Sequence, residues 1–293
     1  MRENSKDYFK TFFQGREMAQ RPNNSLDFID LISLRPNEST INISTYGEVS
    51  GLPPTYNENW SKTVATPKGK KALSYGVRWL AINTVNIRKT VRKLLKAGYG
   101  FAATNFTLPT EPSVNAVAMY GFDDNIIVLV ERPNMKKQET EFGIDHIQLL
   151  VSNLEDNVRF YQNVLAAEII SKKERSTVLK IGNHTFVLSE PEAMGLVREQ
   201  VVEHESQKNL TNNIRLGFLY DEIEPAFYGA KANGYRIMME PQPLMYFNKP
   251  TPYSFCIVMS PDNLQIELEQ EDGRTNARRF YKDEINNTVI KKK

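Results

Sequence analysis

Apolar residues recur along this chain with two different periods, and the order in which those periods alternate is itself repeated. Across 144–151 the alternation is strand-like, with Ile147, Leu149 and Val151 on one face and His146, Gln148 and Leu150 on the other. Val158, Tyr161 and Leu165 then fall at helical spacing behind Ser152-Asn153-Leu154-Glu155, a capping-box signature. Short β-type runs follow at 168–171, 177–181 and 185–189, the last two joined by a Gly182-Asn183 turn. Beyond a Glu- and Gln-rich stretch the succession returns: a strand over 214–220, a helix over 222–233 closed by Gly234, then strands over 235–240, 253–259 and 264–270. The pattern therefore predicts βαβββ units arranged in pairs.

A fainter copy lies upstream. Gly76-Val77-Arg78-Trp79-Leu80-Ala81-Ile82 mirrors Asn213-Ile214-Arg215-Leu216-Gly217-Phe218-Leu219, and Asp124-Asn125 mirrors Asp262-Asn263. Arg78 precedes Leu129 by 51 residues and Arg215 precedes Glu267 by 52, which points to a duplicated module. The helix between them takes Asn86 as cap, Ile87, Val91, Leu94 and Leu95 as its apolar stripe, and Gly98 as its stop. Arg88, Lys89, Arg92, Lys93 and Lys96 fill the other face, read as a solvated surface rather than a nucleic-acid patch. Residues 6–14, with Tyr8, Phe9, Phe12 and Phe13, match a first helix, and 26–34 and 40–45 match strands. Nothing before that helix can pair as a strand. Either the chain begins late, or the open edge is covered by another segment or by a partner subunit, a homodimer being one such arrangement. The expected architecture is α+β: an N-terminal module over 1–135, a C-terminal module over 141–271 carrying the candidate site, and a basic tail over 272–293. Each module holds duplicated βαβββ units whose concave sheet encloses a pocket.

The bulk numbers narrow the class. A chain of 293 residues accommodates two domains of ~150 residues. No apolar run approaches the ~18 residues of a membrane span, and Met1-Arg2-Glu3-Asn4-Ser5-Lys6-Asp7 lacks the apolar core of a secretory signal. With the single Cys256 there is no intrachain disulfide and no thiolate metal cluster, so a cytoplasmic location is expected. A net charge of +2 argues against general nucleic-acid binding; the tail alone carries seven Lys/Arg against three Asp/Glu. The sequence has no phosphate-binding loop, dinucleotide fingerprint, HExxH or nucleophile elbow.

The order of elements resembles the vicinal oxygen chelate superfamily, which includes glyoxalases, bleomycin-resistance proteins and extradiol dioxygenases. The resemblance is carried by Asp145-His146-Ile147 opening a strand, by Phe160-Tyr161 in the helix behind it, and by Ser260-Pro261-Asp262 leading into Ile266-Glu267-Leu268. It implies, by analogy with the two-module dioxygenases, a C-terminal metal site with a His on the first strand, a His on the fifth and a Glu on the eighth. Carried over, these fall on His146, Arg215 and Glu267, so Arg215 stands where a ligand His is implied. In the first module the equivalents are Arg78 and Leu129, which argues against a metal there.

Strand alternation groups His146 with Gln148, Arg215 with Gly217, and Gln265 with Glu267 and Glu269 on polar faces that are expected to line the concave side. A two-His, one-carboxylate triad is the usual holder of non-haem Fe(II), and His146 with Glu267 supplies two of three ligands. An Arg215 guanidinium at ~4 Å would repel a divalent ion by about 8 kcal/mol at an effective dielectric of ~20. Three readings stay open: a site for Fe(II) or another divalent metal; an Arg215–Glu267 ion pair left from a lost site; or Arg215 gripping an anion while His146 or Glu267 moves a proton. Gln148, Gln265 and Tyr253 are the accompanying candidates for substrate contacts. His204 is read as a loop residue and His184 as a turn residue. Pro241, Pro243, Pro250 and Pro252 with Tyr246, Phe247 and Tyr253 form either a lid or a pinned surface loop. The expected activity is that of a divergent dioxygenase, isomerase or lyase acting on a small anionic, oxygen-rich molecule. The competing expectation is a metal-free small-molecule binding or resistance protein.

Overall fold

The structure, a computed structural model, describes residues 8, 12–13, 16–20, 27–35, 39–46, 73–103, 105–121, 126–132, 142–182, 184–202, 216–220, 222–246 and 249–271. The strands are β1 (Arg16–Gln20), β2 (Asp27–Arg35), β3 (Ser39–Tyr46), β4 (Leu73–Ser74), β5 (Gly76–Thr84), β6 (Ala116–Tyr120), β7 (Ile126–Glu131) and β8 (Phe142–Leu150), then β9 (Glu168–Lys173), β10 (Ser176–Ile181), β11 (His184–Ser189), β12 (Val201–Val202), β13 (Leu216–Tyr220), β14 (Ile237–Tyr246), β15 (Lys249–Met259) and β16 (Gln265–Glu271). Helices α1 (Ile87–Lys96), α2 (Leu154–Leu165) and α3 (Glu224–Ala232) each follow the first strand of a unit, and Tyr8, Phe12 and Phe13 are helical as well. The protein is α+β, as the period pattern requires.

A seven-stranded sheet in the order β6-β7-β5-β8-β11-β10-β9 forms the centre. Its middle pair, β5 and β8, is antiparallel, while β5–β7 and β8–β11 are parallel. Two units thus meet first strand to first strand, and the sheet runs continuously from residues of the expected first module into the second. Strands β13-β16-β15-β14 form a separate four-stranded sheet, and β1-β2-β3 a three-stranded one. In the unit begun by β5, the second strand shrinks to a single bridge between Phe101 and Met119.

The helices are placed by their stripes and caps. In α1, Ile87, Thr90 and Leu94 are buried while Arg88, Lys89, Arg92, Lys93 and Lys96 are exposed. Asn86 Oδ1 accepts from the Lys89 amide at 2.9 Å, and Gly98 adopts φ +91° at the stop. The buried stripe packs on Ile82, Met119, Ile127 and Leu129 together with Tyr8 and Phe13. At α2 the cap is Asn153, whose side chain accepts from the Asp156 amide at 3.1 Å. The expected Ser152 cap is corrected: the Ser152 amide is drawn instead to the Asp262 carboxylate, at 3.2 Å from both oxygens. Asp262 also accepts from Asn157 Nδ2 at 2.8 Å, tying the β15–β16 turn to the start of α2.

Helices α2 and α3 pack together, with Gly229 so close that an added Cβ would lie 3.0 Å from the Asn163 carbonyl oxygen. Both larger sheets lay apolar faces on this pair. Leu149, Val151, Leu179, Phe186 and Leu188 come from one sheet, and Cys256, Val258, Ile266 and Leu268 from the other. Residues alternating with these point away from the shared layer. The proline-rich stretch expected as a lid or loop is instead the long β14–β15 hairpin, whose prolines coincide with register shifts.

Candidate functional site

The inner face of the seven-stranded sheet, opposite its helices, carries the chemistry. Its geometry depends on two irregularities between β5 and β8. Val77 pairs with Leu149 but Trp79 with Gln148, which leaves Arg78 as an extra residue. Ala81 pairs with His146 but Ile82 with Ile144, which leaves Asp145 extra. Such bulges re-aim side chains that alternation would send elsewhere. Asp145 consequently sits beside His146 rather than on the far face, and Trp79 and His146 occupy equivalent positions in the two units.

A continuous polar chain results. Glu111 receives Arg132 Nη1 and Nη2 at 2.9 and 2.7 Å. Arg132 Nε and Nη2 donate to the two Asp145 oxygens at 2.8 and 2.9 Å. Asp145 Oδ2 lies 2.8 Å from His146 Nδ1, and Trp79 Nε1 donates to His146 Nε2 at 3.4 Å. Burial of Asp145 would raise its pKa, but the Arg132 and His146 hydrogen bonds outweigh this and hold the carboxyl at about 2. Arg132 is shifted upward by its hydrogen bonds to Asp145 and Glu111. Because an indole nitrogen only donates, His146 Nε2 must accept, and the ring proton faces Asp145 on Nδ1. Both nitrogens of this buried ring are therefore engaged.

Around the chain the face is apolar. Trp79, Ala81, Ala116, Ala118, Val128 and Val130 pack with Leu108, and Trp79 meets Phe106 edge-on at 5.3 Å. Gln148 is fully buried; its Nε2 donates to the Leu149 and Val187 carbonyls at 3.1 and 2.9 Å, while Oε1 finds no partner.

The remaining expected site residues lie elsewhere. Gln265 is buried on β16, with half-buried Glu267 two residues on, in the four-stranded sheet. Leu264, Ile266 and Leu268 face the α2–α3 layer, so Glu267 faces away from it, as does His146 from its own sheet. The expected convergence of His146 and Glu267 on one ligand is thus corrected by topology: they stand in different sheets, on faces turned away from the layer those sheets share. Gly217 and Glu269 share the Glu267 face, a Cβ at Gly217 lying 3.9 Å from Glu269 Oε1. Tyr253 belongs to β15, opposite Glu271. Arg215, His204, Phe247 and the 272–293 tail lie outside the described residues. Leu129, expected to mark a ligand position in the first module, packs toward α1, whereas Val128 beside Ala81 faces inward.

The donor set around His146 does not fit a metal. Its ring nitrogens are occupied, Asp145 is neutralised by Arg132, and among the described residues no group of three or more His, Cys, Asp or Glu is placed to hold an ion. Sequence reasoning missed Trp79, Arg132 and Asp145 as partners of His146. The Asp145-His146 dipeptide was visible, but the bulge that turns both residues to one side was not.

This architecture is one of paired βαβββ units, and comparison with known proteins identifies it. Residues 143–268 match the Glyoxalase/Bleomycin resistance protein/Dioxygenase superfamily. Glyoxalase I from Zea mays superposes with a TM-score of 0.64 at 14% identity, covering 98% of this chain and 91% of that one. A putative dioxygenase from Bacillus subtilis subsp. subtilis str. 168 superposes with a TM-score of 0.60 at 9% identity, covering 99% and 91%. No curated protein matches the sequence. Residues 143–268 are therefore similar to the vicinal oxygen chelate superfamily, and the solved structures share the fold over most of the chain. At these identities the solved structures speak to the fold alone. No helix among the described residues is long and apolar enough to cross a membrane.

Proposed function

We propose that this protein binds a small organic molecule on the inner face of its seven-stranded sheet without a metal, in the manner of a binding or resistance protein. The supporting observation is His146, whose Nδ1 is bonded to Asp145 and whose Nε2 accepts from Trp79, with the Asp145 carboxylate in turn taken by Arg132. A metal would have to displace the Trp79 hydrogen bond and would find apolar neighbours in Ala81 and Val128. His146 then serves as a rigid part of the wall of the site, its orientation set by Asp145 and Arg132.

A second reading is favoured by Glu267 and Glu269 sharing a face with Gly217, which contributes no side chain of its own there. There the four-stranded sheet would carry a divergent dioxygenase, isomerase or lyase using Fe(II) or another divalent metal. Metal analysis of protein purified without added metal separates the two. The first reading expects substoichiometric iron, manganese and zinc. Stoichiometric metal that disappears in His146→Ala overturns it; stoichiometric metal that survives His146→Ala and disappears in Glu267→Gln moves the site to the other sheet.

A further inference from the structure

We infer that Arg78 is the anion-binding residue of the inner face, receiving the carboxylate or phosphate group of a small organic anion whose apolar body lies at the open strand end beside Tyr120. The inference rests on the metal-free binding reading and gives that site its ligand class.

Arg78 and Asp145 are the two extra residues of the β5–β8 pairing, one contributed by each unit. Each immediately precedes an inward-facing aromatic ring, Trp79 in one case and His146 in the other. Their electrostatic situations differ completely. Asp145 is matched by Arg132, which is in turn matched by Glu111. No carboxylate among the described residues pairs with Arg78, and its Nε is a buried donor with no hydrogen-bond partner.

A guanidinium remains charged at any physiological pH, so it cannot escape burial by losing its proton. Burial does pull its pKa downward, with the Tyr120 phenol acting weakly in the opposite direction. A partly buried guanidinium with an unmatched donor costs stability, and such a group persists where function needs it.

The surroundings define what would compensate it. Ala116 and Ala118 place the inward face of β6 on the even positions, so Tyr120 lies on the same side of the sheet as Trp79. Tyr120 is exposed at the strand end and Arg78 itself is only partly covered, so the guanidinium is reachable from solvent. Next to it the face is aromatic and aliphatic. A planar fork at the rim of an apolar surface suits a carboxylate or phosphate carried on an apolar body. The competing source of counter-charge is Asp123 or Asp124, in the connection before β7 and outside the described residues.

The test uses the full-length, metal-free protein with benzoate and phenyl phosphate as probes and benzyl alcohol as the neutral analogue. Calorimetric titration and thermal unfolding are read on the wild type, Arg78→Gln and Arg78→Lys. At least one anion is expected to bind saturably and raise the wild-type Tm, benzyl alcohol binding at least tenfold more weakly. Arg78→Gln is expected to weaken the anion by roughly 10- to 100-fold, Arg78→Lys by less, and neither to change benzyl alcohol. Arg78→Gln is also expected to raise the ligand-free Tm, because it removes an unpaired charge. If Arg78→Gln lowers the ligand-free Tm and leaves anion affinity unchanged, an aspartate of the protein already pairs with Arg78 and the inference is wrong. It is equally wrong if neither anion binds the wild type. Binding that needs added Mn(II) and survives Arg78→Gln sinks the metal-free reading too, whereas metal-free binding that survives it sinks the Arg78 assignment alone.

Discussion

Asp145→Asn removes the charge at the centre of the Glu111–Arg132–Asp145–His146 chain while keeping its shape. Asp145 is a depressed carboxyl, held at about 2 in the folded protein by its Arg132 and His146 hydrogen bonds, below the ~3.9 of a free aspartate. A group whose folded pKa is lowered stabilises the fold above its unfolded pKa and loses that contribution as pH falls through the folded value. At ~1.4 kcal/mol per tenfold change in proton affinity, that lowering corresponds to about 2–3 kcal/mol at pH 7. With its side chain only 8% exposed, Asp145 needs little discount for solvent screening. Arg132 keeps Glu111 after the substitution, so the loss should stay below the ~3–5 kcal/mol typical of stranding a fully buried partner. Urea unfolding at a series of pH values is the assay. At pH 7 the variant should be about 2–3 kcal/mol less stable than the wild type, and the gap should begin to close below about pH 5, be mostly lost by about pH 2 and be gone at about pH 1. A stability difference that stays constant from pH 7 to pH 2.5 would refute the account, because it would show that the Asp145 charge contributes nothing.

Two further outcomes follow from groups outside that chain. Asp262→Ala removes a carboxylate that holds the Ser152 amide and Asn157 Nδ2 at the start of α2; charge-assisted bonds of this kind contribute ~1.5–3 kcal/mol each. The variant should lose roughly 3–4 kcal/mol in urea unfolding at pH 7, and a loss under 1 kcal/mol would mean that the turn and helix are not coupled. Cys256, the single cysteine, lies fully buried in the layer between the sheets, and burial, aided by Glu224 and Glu267, pushes its thiol up to about 12. Native protein at pH 7.5 should therefore resist a disulfide reagent such as dithiobis-nitrobenzoate for hours and react with one equivalent in urea; rapid native labelling would show that β15 opens locally.

Much of the fold was legible because burial imposes a period. The alternation of Ile147, Leu149 and Val151 against His146 and Gln148, and of Leu264, Ile266 and Leu268 against Gln265 and Glu267, placed each set on the side where the structure has it. Strand alternation gives a side chain its face but not the sheet that the strand joins. Nothing local in Gly76–Thr84 encodes that it pairs with Phe142–Leu150, and that one pairing decides which candidate residues can share a site. It sets His146 beside Trp79 and leaves Glu267 in a different sheet.

The bulges were illegible for a related reason. One extra residue breaks the period for a single step and then restores it, so the sequence on either side looks regular. Sequence matching therefore singled out Arg78 and Leu129, whereas in the structure Trp79 is the counterpart of His146 and Val128, not Leu129, faces inward beside Ala81. The same insertion that hides the correspondence also delivers the chemistry. Without it, alternation would send Asp145 and Arg78 to the helix side, into apolar clusters where neither charge could be tolerated. With it, both lie on the inner face, and they differ in one respect that matters: Asp145 has been given its arginine by the protein, and Arg78 has not been given a carboxylate by any described residue. Two residues made equivalent by backbone geometry and made unlike by their partners divide the inner face into a half that is electrostatically closed and a half that awaits an anion.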